Sequence, residues 1–207
     1  KSALVLVSFV MSGTAMAQLS GTYTIDKGSA SSATNFTSFS SFATEINSKG
    51  VSGPVVVNVV KGSGPYSESQ SFQYGVTFTV SGTSTNTITI NGNGEKLTSG
   101  SYAAIRLNGA DFITFDDLDV EATGTYATKC YLIGNNADSN TIKNSELTIT
   151  RLTSTSSSSA YVMFSSTVYG RSSGNHGSGN VIMVNTMSNG SSTSAGPYYG
   201  VCDYRSS

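Results

Sequence analysis

Carboxylates offer the first chemistry. Asp116, Asp117, Asp119 and Glu121 form the densest run of charge on the chain, and Glu146 follows in a second passage of similar rhythm. Two carboxylates about 5 Å apart on neighbouring strands can share a calcium ion, which takes oxygen ligands. Aligning the two passages makes Asp117 and Glu146 the candidate calcium pair. Paired carboxylates are also the equipment of a glycosidase, one as acid and the other as base or nucleophile. A charged, solvated bend is the plainer reading of the same residues.

Other reactive side chains are scattered. His176 is the only histidine, and it sits in the Gly/Ser-rich stretch "VYGRSSGNHG". Without a second histidine or an acidic partner nearby it makes neither a zinc site nor a Ser-His-Asp triad, and it is read as a surface-loop residue. Arg106, between Ile105 and Leu107, points outward, where it meets either an acidic sugar or water. Tyr198 and Tyr199 in "GPYYG" either stack on sugar rings or enter the core. "GNHGSG" is not followed by a helix, so no phosphate loop is expected, and no cofactor motif stands in the chain. The charged residues amount to 11%, with a net charge of −1 and pI near 5.7. Without a basic patch, nucleic-acid binding is excluded.

The elements that must position these residues announce themselves by period. In "GADFITFDDLDVEATG" the inward positions are Ile113, Phe115, Leu118 and Val120, in steps of two, three and two. "NNADSNTIKNSELTIT" repeats the steps with Ile142, Asn144, Leu147 and Ile149, and "GNVIMVNTMSNG" repeats them with Ile182, Val184, Met187 and Asn189. Alternation by two marks a strand with one buried face, and the step of three marks a corner. Each repeat re-enters in the same sense rather than through a hairpin turn. Ile113, Ile142 and Ile182 should therefore lie above one another in one interior column. Asn144 is read as a bend residue in an inward slot. Cys130 and Cys202 then stand two strand spacings apart, about 9.6 Å, too far for a disulfide; two free, buried thiols are expected.

"NFTSFSSFATEINSKG" has a helical period, with Phe39, Phe42, Ala43 and Ile46 on one face, Thr37 as N-cap and Gly50 as stop. Upstream, "KSALVLVSFVMSGTAMAQ" is built like a secretory signal peptide: a basic start, a short apolar run, and the small-residue motif Ala15-Met16-Ala17. The apolar run is shorter than the roughly 20 residues a membrane span needs. Cleavage is expected between Ala17 and Gln18, leaving no span in the mature chain and placing the protein outside the cell or on its surface.

Taken together, "FTSFSSFATEINSKGVSGPVVVNVVKGSGPYSES", "NTITINGNGEKL", "LNGADFITFDDLDVEATG" and "NNADSNTIKNSELTI" resemble the pectin-lyase-like right-handed parallel β-helix superfamily. Within it, the closest likeness is to large exported repeat proteins of Bacteroidota-type bacteria. The resemblance covers roughly residues 19–207. It implies an all-β right-handed parallel β-helix solenoid with a short N-terminal amphipathic capping helix. The expected organisation is a signal peptide at 1–17, a lead-in at 18–34, the helix at 35–50 and coils over 51–207 that continue past the last residue. The expected function is a secreted, non-catalytic cell-surface module, adhesive or structural, with extracellular polysaccharide as partner. A polysaccharide lyase or glycoside hydrolase is the alternative, although no catalytic motif of the superfamily stands in this chain.

Overall fold

The computed structural model describes residues 17–150, 152, 157–167, 176–183, 185–190 and 196–203. The expected signal peptide before Ala17, most of the 168–177 insertion, and Val184 lie outside the described residues.

Runs of β-branched residues make the strands, because branched side chains fit a pleated surface. The chain begins with β1 (Leu19–Ile25) and β2 (Asn35–Phe36), then helix α1 (Phe39–Lys49), β3 (Val51–Val59), β4 (Tyr66–Ser67) and β5 (Tyr74–Phe78). It continues through β6 (Ile88–Ser99), β7 (Ala103–Asn108), β8 (Ile113–Ala122), β9 (Lys129–Gly134), β10 (Thr141–Lys143) and β11 (Glu146–Ile149). The last strands are β12 (Ala160–Phe164), β13 (Val181–Met183), β14 (Thr186–Ser188) and β15 (Tyr199–Asp203). In β3, Val55, Val57 and Val59 are fully buried while Val56 and Asn58 between them are only partly so, the alternation of a strand with one face in the core.

These strands form two sheets. One has 10 strands, ordered β13-β10-β8-β6-β3-β1-β2 with β4, β11 and β14 alongside; the other has 5, ordered β15-β12-β9-β7-β5. Every pairing is parallel. The expectation of an all-β right-handed parallel β-helix solenoid is corrected: the architecture is α/β-like, two separate parallel sheets and one short helix. The physical reason is that a period of two tells which face of a strand is buried but not which sheet the strand joins.

The register is corrected as well. Ile142 pairs with Phe115 and Ile182, while Ile113 pairs with Ile88, so Ile113 does not stand in the column of the other two. Two polar residues caused the slip. The slot level with Ile113 is filled by Asn140, whose Oδ1 accepts the Ile113 N–H at 3.0 Å, and the slot level with Leu118 by Ser145, whose Oγ accepts the Leu118 N–H at 3.2 Å. Both are buried. A hydrophobic pattern passes over them, although each satisfies a backbone group that a buried corner would otherwise leave unpaired.

Helix α1 starts one residue later than expected. Ser38, not Thr37, is the N-cap; it forms a capping box with Ser41, and Gly50 closes the helix at φ +69°. Phe39, Phe42, Ala43 and Ile46 are the buried face. Glu68 holds the other side of the helix start: its carboxylate accepts the N–H groups of Phe39 at 2.7 Å and Ser40 at 3.2 Å. A negative charge there also meets the positive end of the helix dipole. From α1 a chain of edge and tilted ring contacts runs through the core, Phe36 to Phe42 at 5.3 Å, Phe42 to Phe78 at 6.2 Å, Phe78 to Phe115 at 5.7 Å and Phe115 to Tyr131 at 5.3 Å. Each such ring contributes about 2–3 kcal/mol by leaving water.

Two core residues oppose this stabilisation. The Tyr131 hydroxyl is buried with no hydrogen-bond partner. Tyr131→Phe should therefore raise the unfolding free energy by about 1–2 kcal/mol in urea titration, because only an unmet polar group is lost. Lys129 is fully buried, its Nζ donating to the Ala127 carbonyl at 2.6 Å, and burial lowers its pKa to about 7. Between about pH 7 and 10.4 the unfolded chain binds the extra proton, so stability rises with pH across that window and the cost is full below it. Lys129→Met should stabilise by a few kcal/mol at pH 6 and lose that advantage near pH 10.5, measured as urea midpoints at both pH values.

A corner cleft of amides and carboxylates

Where β6 and β8 bend, and where β10 passes into β11, the chain makes one sharp corner per level. Asn93, Asp117 and Asn144 turn those corners with φ of 53°, 55° and 57°. Asn and Asp are the side-chain-bearing residues that tolerate this left-handed conformation best, which explains their recurrence here. Their side chains, with Asn91 and Asp116, line an open cleft of about 420 Å³ on the ten-stranded sheet. Gly92 lets the corners stack: a Cβ there would stand 2.3 Å from both the Asp117 carbonyl and the Leu118 Cα.

Hydrogen bonds fix the lining. Asn144 Nδ2 donates to Asp116 Oδ1 at 2.7 Å, and the Lys143 ammonium lies 3.0 Å from Asp116 Oδ2. Asn91 donates to Asn58 Oδ1 at 2.9 Å, and Asn93 to the Val59 carbonyl at 2.7 Å. Burial acts to raise the Asp116 pKa, but the Asn144 amide and Lys143 outweigh it and hold the carboxyl below its ordinary value. Asp117 is exposed at the mouth. What remains toward solvent is a set of amides and the Asp116 carboxylate held by their neighbours, with the Asp117 carboxylate beside them.

Asp117 and Glu146, expected together as a calcium pair, fall in different rows. Glu146 stands beside Asp119 instead, its N–H donating to Asp119 Oδ1 at 2.8 Å. The cause is the same two-residue slip, which puts Leu147 against Val120. Asp119 has its pKa raised, first by burial and further by the charges of Glu146 and Asp117, against the pull of the Glu146 N–H and Lys96. Among the described residues no group of three or more His, Cys, Asp or Glu side chains is placed to hold a metal ion. Asn144 is a corner residue as read, but it faces solvent rather than the interior.

The remaining candidates disperse. The Arg106 guanidinium lies 4.4 Å over the Tyr74 ring and donates to Asn108 Oδ1 at 2.8 Å. Tyr198 and Tyr199 meet edge to face at 4.6 Å; Tyr199 packs on a small apolar cluster of the five-stranded sheet and Tyr198 is exposed. His176 is buried rather than a surface-loop residue, with Nδ1 3.8 Å from Asp203 Oδ1 and no hydrogen bond to either ring nitrogen. Sequence spacing hid this acidic neighbour, because β15 returns Asp203 to His176 only through the fold. Cys130 and Cys202 are both free and buried. Cys202 pairs with Met163 in the outer cluster while Cys130 lies in the main core, so the two thiols do not share a row. Burial pushes the Cys130 thiol far up, leaving it unreactive.

The whole arrangement defines a parallel two-sheet protein with a polar corner cleft. No family model, no curated protein and no solved structure matches the chain. Among the described residues no helix is long and apolar enough to cross a membrane.

The corner makes a sharp demand on Asn144. Asn144→Val should cost about 1–2 kcal/mol, since a β-branched residue is strained at positive φ, whereas Asn144→Gly should keep most of the stability. Both should raise the Asp116 pKa toward the ordinary carboxylate value in an NMR titration. Because the folded pKa of Asp116 is depressed, its contribution is present above about pH 3.9 and is lost as pH falls through the folded value. The variants should lose that acid-dependent part of stability.

Proposed function

We propose that this chain is an extracellular, non-catalytic recognition module that binds a glycan at the corner cleft. One observation carries the reading: the cleft is lined only by Asn and Asp side chains, with Asn91, Asn93, Asp116 and Asn144 fixed by hydrogen bonds and Asp117 exposed among them. Amides offer donor and acceptor together and carboxylates accept strongly, a set that suits vicinal sugar hydroxyls. Preorganised groups also lose little freedom on binding. The signal-peptide-like N-terminus supports the extracellular placement.

A second reading, a glycoside hydrolase, has one observation in its favour: Asp119, whose carboxyl burial pushes up, stands one strand from the carboxylate of Glu146, and two neighbouring carboxyl groups are the equipment of an acid and its partner. Asp119 already accepts the Glu146 N–H, which fits anchoring of the strand better.

Titration calorimetry against a panel of neutral and acidic oligosaccharides, with reducing-end assays in parallel, separates the readings. The expected result is binding without turnover, weakened at least tenfold in Asp117→Gly, which keeps the corner conformation. Release of reducing ends, abolished in Glu146→Gln, would select the hydrolase. Failure of every glycan to bind would remove both.

A further inference from the structure

The hydrogen bonds that fix the corner cleft also decide which atoms it has left to offer. Asn91, Asn93 and Asn144 each commit one amide N–H inside the protein, to Asn58, the Val59 carbonyl and Asp116. Among the described residues no hydrogen bond reaches the Oδ1 of any of the three. An amide in that state presents its oxygen and one remaining N–H. Asp117 adds an exposed carboxylate that carries neither a hydrogen bond nor an ion pair among the described residues. The unused atoms are thus the oxygen of every amide and both Asp117 oxygens, against a single N–H on each amide. Acceptors exceed donors.

The charge of the cleft has the same sense. None of its lining residues, Asn91, Asn93, Asp116, Asp117 and Asn144, is basic. Lys143, the cation beside them, is held 3.0 Å from Asp116 Oδ2, so those two charges offset each other and Asp117 is left uncompensated. Lys96 of β6 is engaged elsewhere, 3.7 Å from Glu121. An anionic ligand meets an open charge of its own sign here, whereas a cationic ligand meets its partner.

On the reading of the cleft as a glycan site, we infer that its ligand is an amino sugar whose amine is free, a hexosamine unit seated with its ammonium on Asp117. An ammonium brings three donors and a positive charge, which match both the acceptor excess and the open carboxylate. The hydroxyls beside it on the ring bring acceptors for the leftover amide N–H groups, and the ring holds them at fixed distances, so little freedom is lost on binding. A lysine ammonium carries its charge on a flexible stem without such neighbours. A uronate has the wrong sign, and an N-acetylated sugar has lost the charge and keeps only an amide N–H as donor at that position.

Titration calorimetry on the full chain with a matched pair, a short N-acetylglucosamine oligomer and the same oligomer de-N-acetylated, tests the assignment. The free-amine oligomer should bind about tenfold more tightly than the acetylated one, the size of one charge-assisted hydrogen bond. That advantage should shrink as salt is added and vanish as the pH rises past the pKa of the sugar's own amine. Asp117→Asn, which the left-handed corner tolerates, should bring the ratio of the two affinities close to one. A glucuronate oligomer should bind more weakly than either, and a lysine oligomer of equal charge more weakly than the free-amine sugar. Equal or tighter binding of the acetylated or glucuronate oligomer, or an amine preference that survives Asp117→Asn, would overturn the inference and leave glycan recognition standing. A lysine oligomer that binds as tightly as the amino sugar would overturn it in favour of a basic peptide. Silence from every oligosaccharide would remove the glycan reading itself, and the amino sugar with it.

Discussion

The structure depends on one constraint: each strand must find its parallel neighbour in a register that keeps the same side chains inside at every level. A slip of one residue would turn every apolar side chain outward, and a slip of two would misplace every corner. The register is pinned at the corners by polar side chains. Asn140 reaches the carbonyl of Ala110 at 2.8 Å and the N–H of Ile113, and its own N–H is taken by Asn180. Ser145 and Asn185 do the same one corner on, with the Ser145 N–H donating to Asn185 Oδ1 at 3.0 Å and Asn185 Nδ2 to the Ile142 carbonyl at 2.9 Å. Apolar burial supplies most of the favourable free energy, but it does not choose among registers that bury similar residues. The amides choose.

The same device creates the cleft. Corners that must adopt positive φ select Asn and Asp, and parallel stacking brings those residues to the same place at successive levels. A polar, hydrogen-bonded recess is therefore a by-product of turning the chain, and recognition requires only that some of its groups remain turned to solvent. Asp116 is engaged by Asn144 and Lys143, whereas Asp117 stands exposed beside it. Of two adjacent carboxylates, one is tethered to the corner and the other is open to solvent.

An amphipathic helix with one well-placed amide closes the core where the sheets begin. The core also tolerates polar burial where backbone demands it and suffers it elsewhere: Asn140 is fully used, while the Tyr131 hydroxyl is not. Lys129, fully enclosed, shows the remaining case, an amine whose burial lowers its basicity.

The sequence by itself determined the local period. Ile113, Phe115, Leu118 and Val120 read as inward and are; Phe39, Phe42, Ala43 and Ile46 read as one helical face and form it. It also marked the corner of Asn144 and the burial of both cysteines. These features depend on bonds and burial within a few residues of each other, so they leave a pattern in the chain. Only the tertiary structure decided the division into two sheets, the pairing of Ile142 with Phe115, the placing of Glu146 beside Asp119 and the approach of Asp203 to His176. Those facts rest on contacts between levels, carried by buried polar residues such as Asn140 and Ser145 that a hydrophobic pattern counts as surface.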